Sequence, residues 1–254
     1  MKSVCILGCG PAGLLGAYAA ELQGADVTIM SEPNKSKIGG AMYLHRSIPA
    51  ITEEQPDAWI WIEKRGTAEG YAEKVYGNPS HPVSFTQWET GGHPMWSLRD
   101  AYDALWELYQ AAINPYRVHP EDICEICNSF DLVVSTIPAP VICKSGHRFA
   151  GAPIWITMSE TIRRLPLDLK QTMIYSGDPQ DDWYRYSLID GVRSWEYAKK
   201  PPDQKGALKG QKVIDTDCDC HSELDNFMKA GRWGMWKRGV LSHHVYDQVS
   251  YALQ

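Results

Sequence analysis

Six residues near the start of the chain, Gly8-Cys9-Gly10-Pro11-Ala12-Gly13, have the spacing G-x-G-x-x-G. Glycine at the first position permits a tight turn. At the second it lets backbone approach a pyrophosphate, and at the third it lets a helix pack closely on a strand. The helix that follows presents free N–H groups and a positive dipole end to the phosphates. Glu32 comes 24 residues after Gly8. A carboxylate there accepts hydrogen bonds from the 2′- and 3′-hydroxyls of a ribose, and it repels a 2′-phosphate. The chemistry is dinucleotide binding, with FAD or NAD as the ligand and NADP disfavoured.

These residues need a strand, a helix and a second strand to hold them, and the flanking sequence supplies all three. Residues 4–7 are an apolar strand, 14–22 a helix rich in alanine, and 27–30 a second strand after Gly24. Residues 33–50 read as a loop, and 51–98, rich in Gly, Pro, Trp and charge, show no clear element. A helix is expected over 97–113, with Leu98, Ala101, Tyr102, Leu105, Leu108 and Tyr109 on one face. Residues 130–137, a continuous apolar run, read as a central parallel strand stopped by Pro138. Four short strand-like runs at 154–161, 172–176, 184–188 and 194–197 suggest an antiparallel sheet. Residues 199–212 read as a loop, and 240–253 as a final helix. The expected fold is α/β: a Rossmann-like dinucleotide-binding domain with an interleaved smaller substrate lobe that contains an antiparallel sheet. The expected boundaries are 1–50, 116–148 and 205–254 for the first, and 51–115 and 149–204 for the second.

Composition narrows the function classes. Hydrophobic residues make up 44% and charged residues 22%, an ordinary globular balance. The net charge of −6 and the lack of a basic stripe give no support to electrostatic nucleic-acid binding. No apolar run approaches the roughly 18 to 20 residues of a membrane span. Met1-Lys2-Ser3 leads straight into the first strand with no cleavage site, so a cytoplasmic protein is expected. Ten Trp and thirteen Tyr against four Phe suit half-buried pockets with a flat face and a polar tip. Among seven cysteines, Cys124-x-x-Cys127 and Cys218-x-Cys220-His221 could together give zinc four soft ligands. Their separation and the uncommon C-x-C-H spacing favour reduced, unliganded thiols, so no metal is expected.

A second glycine pair separates FAD from NAD. Gly39-Gly40 opens the run Gly39-Gly40-Ala41-Met42-Tyr43-Leu44-His45, seven residues past Glu32. It lets backbone pass close to a second phosphate or to a flavin ring. Later, a strand ends in Ser135-Thr136-Ile137-Pro138, and Gly231-Arg232-Trp233-Gly234 precedes the last helix. On these motifs the chain resembles the FAD-binding half of the glutathione-reductase-type flavoproteins. Within that group it is most similar to the UDP-galactopyranose mutases and to the amine oxidase and protoporphyrinogen oxidase branch. The resemblance covers roughly residues 3–50, 128–140 and 228–254, and more weakly Trp183-Tyr184-Arg185.

The resemblance implies FAD as cofactor. It places Gly39, Gly40, Ala41, Met42, Thr136, Pro138, Arg232 and Gly234 beside Gly8, Gly10, Pro11, Ala12, Gly13 and Glu32 as cofactor-binding residues. It has the antiparallel sheet roof the flavin, with Arg185 gripping an anionic group of the substrate. A guanidinium suits that role through two parallel hydrogen bonds, although Arg185 equally reads as a strand arginine paired to an acid such as Asp182. Glu196 reads as a structural partner. His45 reads as a proton shuttle near Tyr43, and Tyr184 as a further catalytic candidate. No second G-x-G-x-x-G is present, so no separate NAD(P)H domain is expected. The expected activity is an FAD-dependent oxidation or C–N cleavage of an amine or amino-acid group on a small polar substrate, or on a modified base. The alternatives are a mutase-like sugar-nucleotide enzyme using reduced flavin, and a non-catalytic dinucleotide-binding protein.

Overall fold

The structure is a computed structural model and describes residues 1–83, 90–160, 171–201 and 206–254. Among the described residues no helix is long and apolar enough to cross a membrane. The chain forms two interleaved units. The first is Met1–Lys37, Leu98–Ala150 and Val213–Gln254, and the second is Ile38–Ser97 and Gly151–Lys212. Residues 38–50, 98–115, 149–150 and 206–212 thus each lie in the unit opposite to the one drawn from sequence.

The first unit is a five-stranded parallel sheet in the order β12-β6-β1-β2-β5. Its strands are β1 (Ser3–Leu7), β2 (Asp26–Ser31), β5 (Ile113–Pro115), β6 (Leu132–Ser135) and β12 (Phe227–Lys229). The expected late strand is β6, and it is central, between β1 and β12. Helix α1 (Pro11–Leu22) is buried over eight consecutive residues, Gly13 to Ala20. It packs against α3 (Leu98–Tyr109) and α7 (Ser242–Leu253). A Cβ on Gly16 would sit 3.2 Å from Val245 and 3.7 Å from Ile6, so glycine there lets α1 lie close to both α7 and the sheet. On β1, Cys5 and Leu7 turn the other way, into a cluster with Ile123, Ile126 and Cys127 of α4 (Ile123–Ser129). Apolar cover on both faces explains why β1 and β6 read as unbroken hydrophobic runs. Helix α3 belongs to this unit because Leu98, Ala101, Tyr102, Leu105 and Tyr109 are buried on its inner face.

The second unit is a seven-stranded sheet in the order β11-β7-β10-β9-β8-β3-β4. Its strands are β3 (Ala58–Gly66), β4 (Gly91–Met95), β7 (Gly151–Glu160), β8 (Gln171–Gly177), β9 (Arg185–Ile189), β10 (Val192–Tyr197) and β11 (Leu208–Val213). The expected antiparallel run is present as β7-β10-β9-β8. The sheet is nonetheless mixed, because β8 and β3 pair in parallel. Residues 51–98 and 199–212, read from sequence as irregular, contribute β3, β4, β11 and helix α2 (Ala68–Tyr76). Thr161, the end of one expected strand, lies outside the described residues. Ile60, Ile62, Tyr71, Val75, Met173, Tyr175 and Tyr184 form the core of this unit. Helix α2 seats on β8 through glycines: a Cβ on Gly177 would lie 1.9 Å from the Thr67 carbonyl oxygen, and one on Gly70 2.1 Å from the Gly177 carbonyl oxygen.

Candidate functional site

In the first unit the chemistry-bearing residues gather where β1, β2 and β6 end. Ligands of open α/β sheets bind at such carboxyl ends, next to the point where strand order reverses. Gly8 has φ +106°, and its N–H donates to the Met30 carbonyl at 3.0 Å. A Cβ there would lie 2.7 Å from Thr136 Oγ1. A Cβ on Gly13 would lie 1.9 Å from the Gly8 carbonyl oxygen. Both glycines therefore allow helix and strand to meet. Gly10 caps α1 with extended backbone and no side-chain acceptor, and Pro11 has no N–H to satisfy. The first intrahelical bond runs from Leu14 N–H to Gly10 at 3.0 Å, which leaves the Ala12 and Gly13 N–H groups directed out of the helix end. No acidic side chain occupies that turn.

Glu32 follows β2 and is exposed. Cys9 fixes its distance from the glycine turn. The Cys9 N–H donates to Ser31 Oγ at 3.2 Å and its thiol to the Glu32 carbonyl at 3.4 Å. Thr136 braces the other side, its hydroxyl donating to the Leu7 carbonyl at 3.0 Å. Pro138 stands at the N-cap of α5 (Ala139–Ile142). The Gly-Arg-Trp-Gly segment is α6 (Gly231–Met235). A Cβ on Gly231 would approach Ala12 Cβ to 3.2 Å, and one on Gly234 would lie 2.5 Å from the Ser135 carbonyl oxygen. The segment thus lies against the first turn of α1 and the end of β6. Arg232 is exposed and donates from Nε to the Val240 carbonyl at 3.2 Å.

In the second unit, Glu196 is a buried structural partner at the centre of several contacts. Its side chain is 1% exposed and that of Arg185 is 19% exposed. Arg185 donates to Glu196 Oε1 from Nε at 2.9 Å and also from Nη2. The Tyr184 hydroxyl donates to Oε2 at 2.8 Å, and the Ala41 N–H reaches Oε1 at 3.4 Å. The acid that pairs with Arg185 is therefore Glu196, not Asp182. Gly40 has φ +75°, and a Cβ there would lie 2.5 Å from Glu196 Oε1. Gly39 faces Leu208 and Ile156. Met42 closes this turn, its N–H donating to the Gly40 carbonyl at 3.0 Å. Lys212 stands over the Tyr184 ring at 4.4 Å. Burial alone would raise the Glu196 carboxyl, but the Arg185 and Lys212 cations outweigh it and hold the group below the usual carboxylate range. The His45 ring stacks on Tyr43 with centroids 4.5 Å apart and planes 7° from parallel. The Tyr43 hydroxyl is buried with no hydrogen-bond partner among the described residues.

The four cysteines named from sequence as one zinc set do not form a cluster. Cys127 packs into the apolar core beside Cys5, whereas Cys218 and Cys220 gather with Cys143 and His147. In the C-x-x-C a helical turn carries Cys127 inward, where burial pushes the thiol up to about 11. His221 is not in the cluster either: its Nε2 lies 2.8 Å from the Ile142 carbonyl.

From sequence alone Tyr102 is only one residue of an apolar helix face. Its hydroxyl donates to the Cys9 carbonyl at 3.0 Å and accepts from the Ser36 N–H at 3.1 Å. A tyrosine on a buried face needs such a partner, and that was the available signal. Tyr102→Phe should lower the stability of the chain by about 1–3 kcal/mol, read as a reduced urea midpoint, because two backbone groups lose their partner.

No family model and no curated protein matches the chain. Solved structures do. A reduced UDP-galactopyranose mutase matches with a TM-score of 0.56 at 11% identity, over 100% of this chain and 95% of the mutase. p-Nitrophenol 4-monooxygenase PnpA from Pseudomonas putida DLL-E4 matches with a TM-score of 0.51 at 12% identity, over 100% of this chain and 80% of that one. MibH, a tryptophan 5-halogenase, matches with a TM-score of 0.52 at 13% identity, over 100% of this chain and 65% of that one. At these identities the likeness is one of fold. The chain has the Rossmann-type dinucleotide-binding fold of the FAD-binding flavoproteins that its sequence resembles.

Proposed function

We propose that the chain is an FAD-dependent oxidoreductase whose first unit holds the ADP half of the cofactor. The observation that carries this reading is the uncapped start of α1. Its Ala12 and Gly13 N–H groups take no intrahelical acceptor, and the Glu32 backbone is tied to the same turn through the Cys9 thiol. Gly10 leaves room at this turn, since a Cβ there would meet nothing nearer than Ser36 Oγ at 3.7 Å. The residues therefore suit a pyrophosphate. Bound FAD would supply a hydride acceptor.

Residues of the second unit are proposed to handle substrate. Arg185 Nη1 has no hydrogen-bond partner among the described residues, while Nε and Nη2 are fixed by Glu196. A guanidinium anchored in this way can offer its remaining edge to a carboxylate or phosphate. His45, oriented by its stack on Tyr43, is proposed to accept or return a proton. The substrate class proposed is a small amine or amino acid, free or carried on a modified base.

The test is spectroscopic. The purified chain should show oxidised-flavin absorption and should bleach anaerobically with one member of an amine and amino-acid panel. A colourless chain stabilised by NAD and not by FAD overturns the cofactor reading. Glu32→Ala should weaken FAD binding by about tenfold or more, because two charge-assisted hydrogen bonds to the ribose are lost. Unchanged affinity by flavin-fluorescence titration would remove Glu32 from the site.

The mutase match, which spans nearly the whole of that enzyme, favours a second reading. There the chain would rearrange a sugar nucleotide with reduced flavin and no net oxidation. Activity that needs prior dithionite reduction and leaves no oxidised product selects it over the first.

A further inference from the structure

We propose that Cys143, His147, Cys218 and Cys220 bind one zinc ion in the first unit, apart from the dinucleotide turn. One ligand atom from each of the four lies within 4.8 Å of all the others. The three separations among Cys143, His147 and Cys220 have the size of tetrahedron edges. Cys143 Sγ is 3.7 Å from Cys220 Sγ, and His147 Nδ1 is 3.3 Å from Cys143 Sγ and 3.6 Å from Cys220 Sγ. Bond lengths of about 2.3 Å for Zn–S and about 2.0–2.1 Å for Zn–N give edges of about 3.8 Å between sulfurs and about 3.5 Å between sulfur and nitrogen.

The surroundings match a metal site in two further ways. The second ring nitrogen of His147, Nε2, lies 3.3 Å from Asp219 Oδ1, a carboxylate that would fix the ring with Nδ1 toward the ion. Lys229 donates from Nζ to the Cys218 carbonyl at 2.8 Å and to Cys218 Sγ at 3.4 Å. Zinc with three thiolates carries one net negative charge, and the Lys229 ammonium offsets it. Soft thiolate and imidazole ligands in this ratio select zinc over magnesium or calcium. Cys218 and Asp219 also line an open cleft of about 280 Å³, which gives an ion a path in.

The site has a structural use. Cys143 and His147 follow α5, while Cys218 and Cys220 lie in the irregular stretch between β11 and β12. A stretch of this length without regular structure needs something to fix it. One ion would cross-link it to the segment after α5, beside the ion pair of Lys144 with Glu223. The four ligands make a closed site with no position for substrate, so the assigned role is structural.

Elemental analysis of the full chain, untagged and purified without chelator, should give about one zinc per chain. After exchange for cobalt, the chain should show the strong visible bands of a tetrahedral centre and thiolate-to-cobalt charge-transfer absorption. Cys220→Ser should drop bound zinc below about a tenth of an equivalent, while Cys124→Ser should keep it whole. If Cys220→Ser does not fold, the cobalt spectrum of the unaltered chain still decides. A weak octahedral spectrum, substoichiometric zinc, a Cys143–Cys220 disulfide in the fresh protein, or equal zinc loss in Cys124→Ser would each overturn the site. Flavin content plays no part in any of these outcomes.

Discussion

Gly13→Ala should give a chain that binds FAD at least about a hundredfold more weakly, a loss of about 2.7 kcal/mol. The added methyl would fall 1.9 Å from the Gly8 carbonyl oxygen and 2.8 Å from its carbon. Both are backbone atoms and cannot rotate away. Gly8 is itself held by its bond to Met30, and α1 is held by burial along most of its length. The helix must therefore retreat from the turn, carrying the Ala12 and Gly13 N–H groups out of line. Overpacking of this kind also costs about 1–3 kcal/mol of stability. Gly10→Ala separates ligand from fold. Gly10 has φ −70°, which alanine adopts freely, and its methyl would meet only Ser36 Oγ at 3.7 Å. That variant should fold with an unchanged urea midpoint and still lose FAD, because the open space is the pyrophosphate's. If Gly10→Ala retains FAD at the original affinity, the pyrophosphate does not lie at this turn.

Glu196→Ala should unfold the second unit at a much lower urea concentration, with a loss of about 3–5 kcal/mol. The cost arises less from the lost attraction than from what remains. Arg185 keeps a charge that is mostly shielded from water, the Tyr184 hydroxyl loses its acceptor, and the Ala41 N–H loses its own. The same pair sets a pH dependence. The Glu196 carboxyl is held below its unfolded value, so its contribution is complete above the ordinary glutamate pKa of about 4.3 and disappears as pH falls through the depressed folded value. Acid unfolding monitored by tryptophan fluorescence should therefore be shallower in Glu196→Gln than in the unaltered chain. Equal acid sensitivity in the two proteins would show that Glu196 is not the titrating group.

The dinucleotide turn was legible because three independent constraints fall on a few residues: a strand, three spaced glycines and an acid after the next strand. The second unit was not. In β3, Trp59 and Trp61 alternate with Ile60 and Ile62, and the tryptophans are the outward set at 57% and 41% exposure. Both sets are apolar, so the period-two pattern is invisible in sequence. β4, with two glycines and a proline, is a strand only because β3 pairs with it. β11 lies at the sheet edge, where a polar strand with two lysines suits its position and reads as loop. From sequence the glycine pair Gly39-Gly40 is a place where backbone would pass close to a phosphate or a flavin ring. What approaches Gly40 is the Glu196 carboxylate, on a strand more than 150 residues away that no local pattern could supply.

The parallel sheet also dictates when the chain can fold. Val4 pairs with Leu132, and Val133 pairs in turn with Phe227. β1 and α1 are made before β6, β12 and α7, so part of their apolar surface waits for its partners. Contacts of such long sequence separation close slowly and leave hydrophobic strands exposed in the meantime. The parallel sheet is complete only once Phe227–Lys229 has been made. Expression at low temperature, which slows synthesis and aggregation together, should govern how much native protein is recovered.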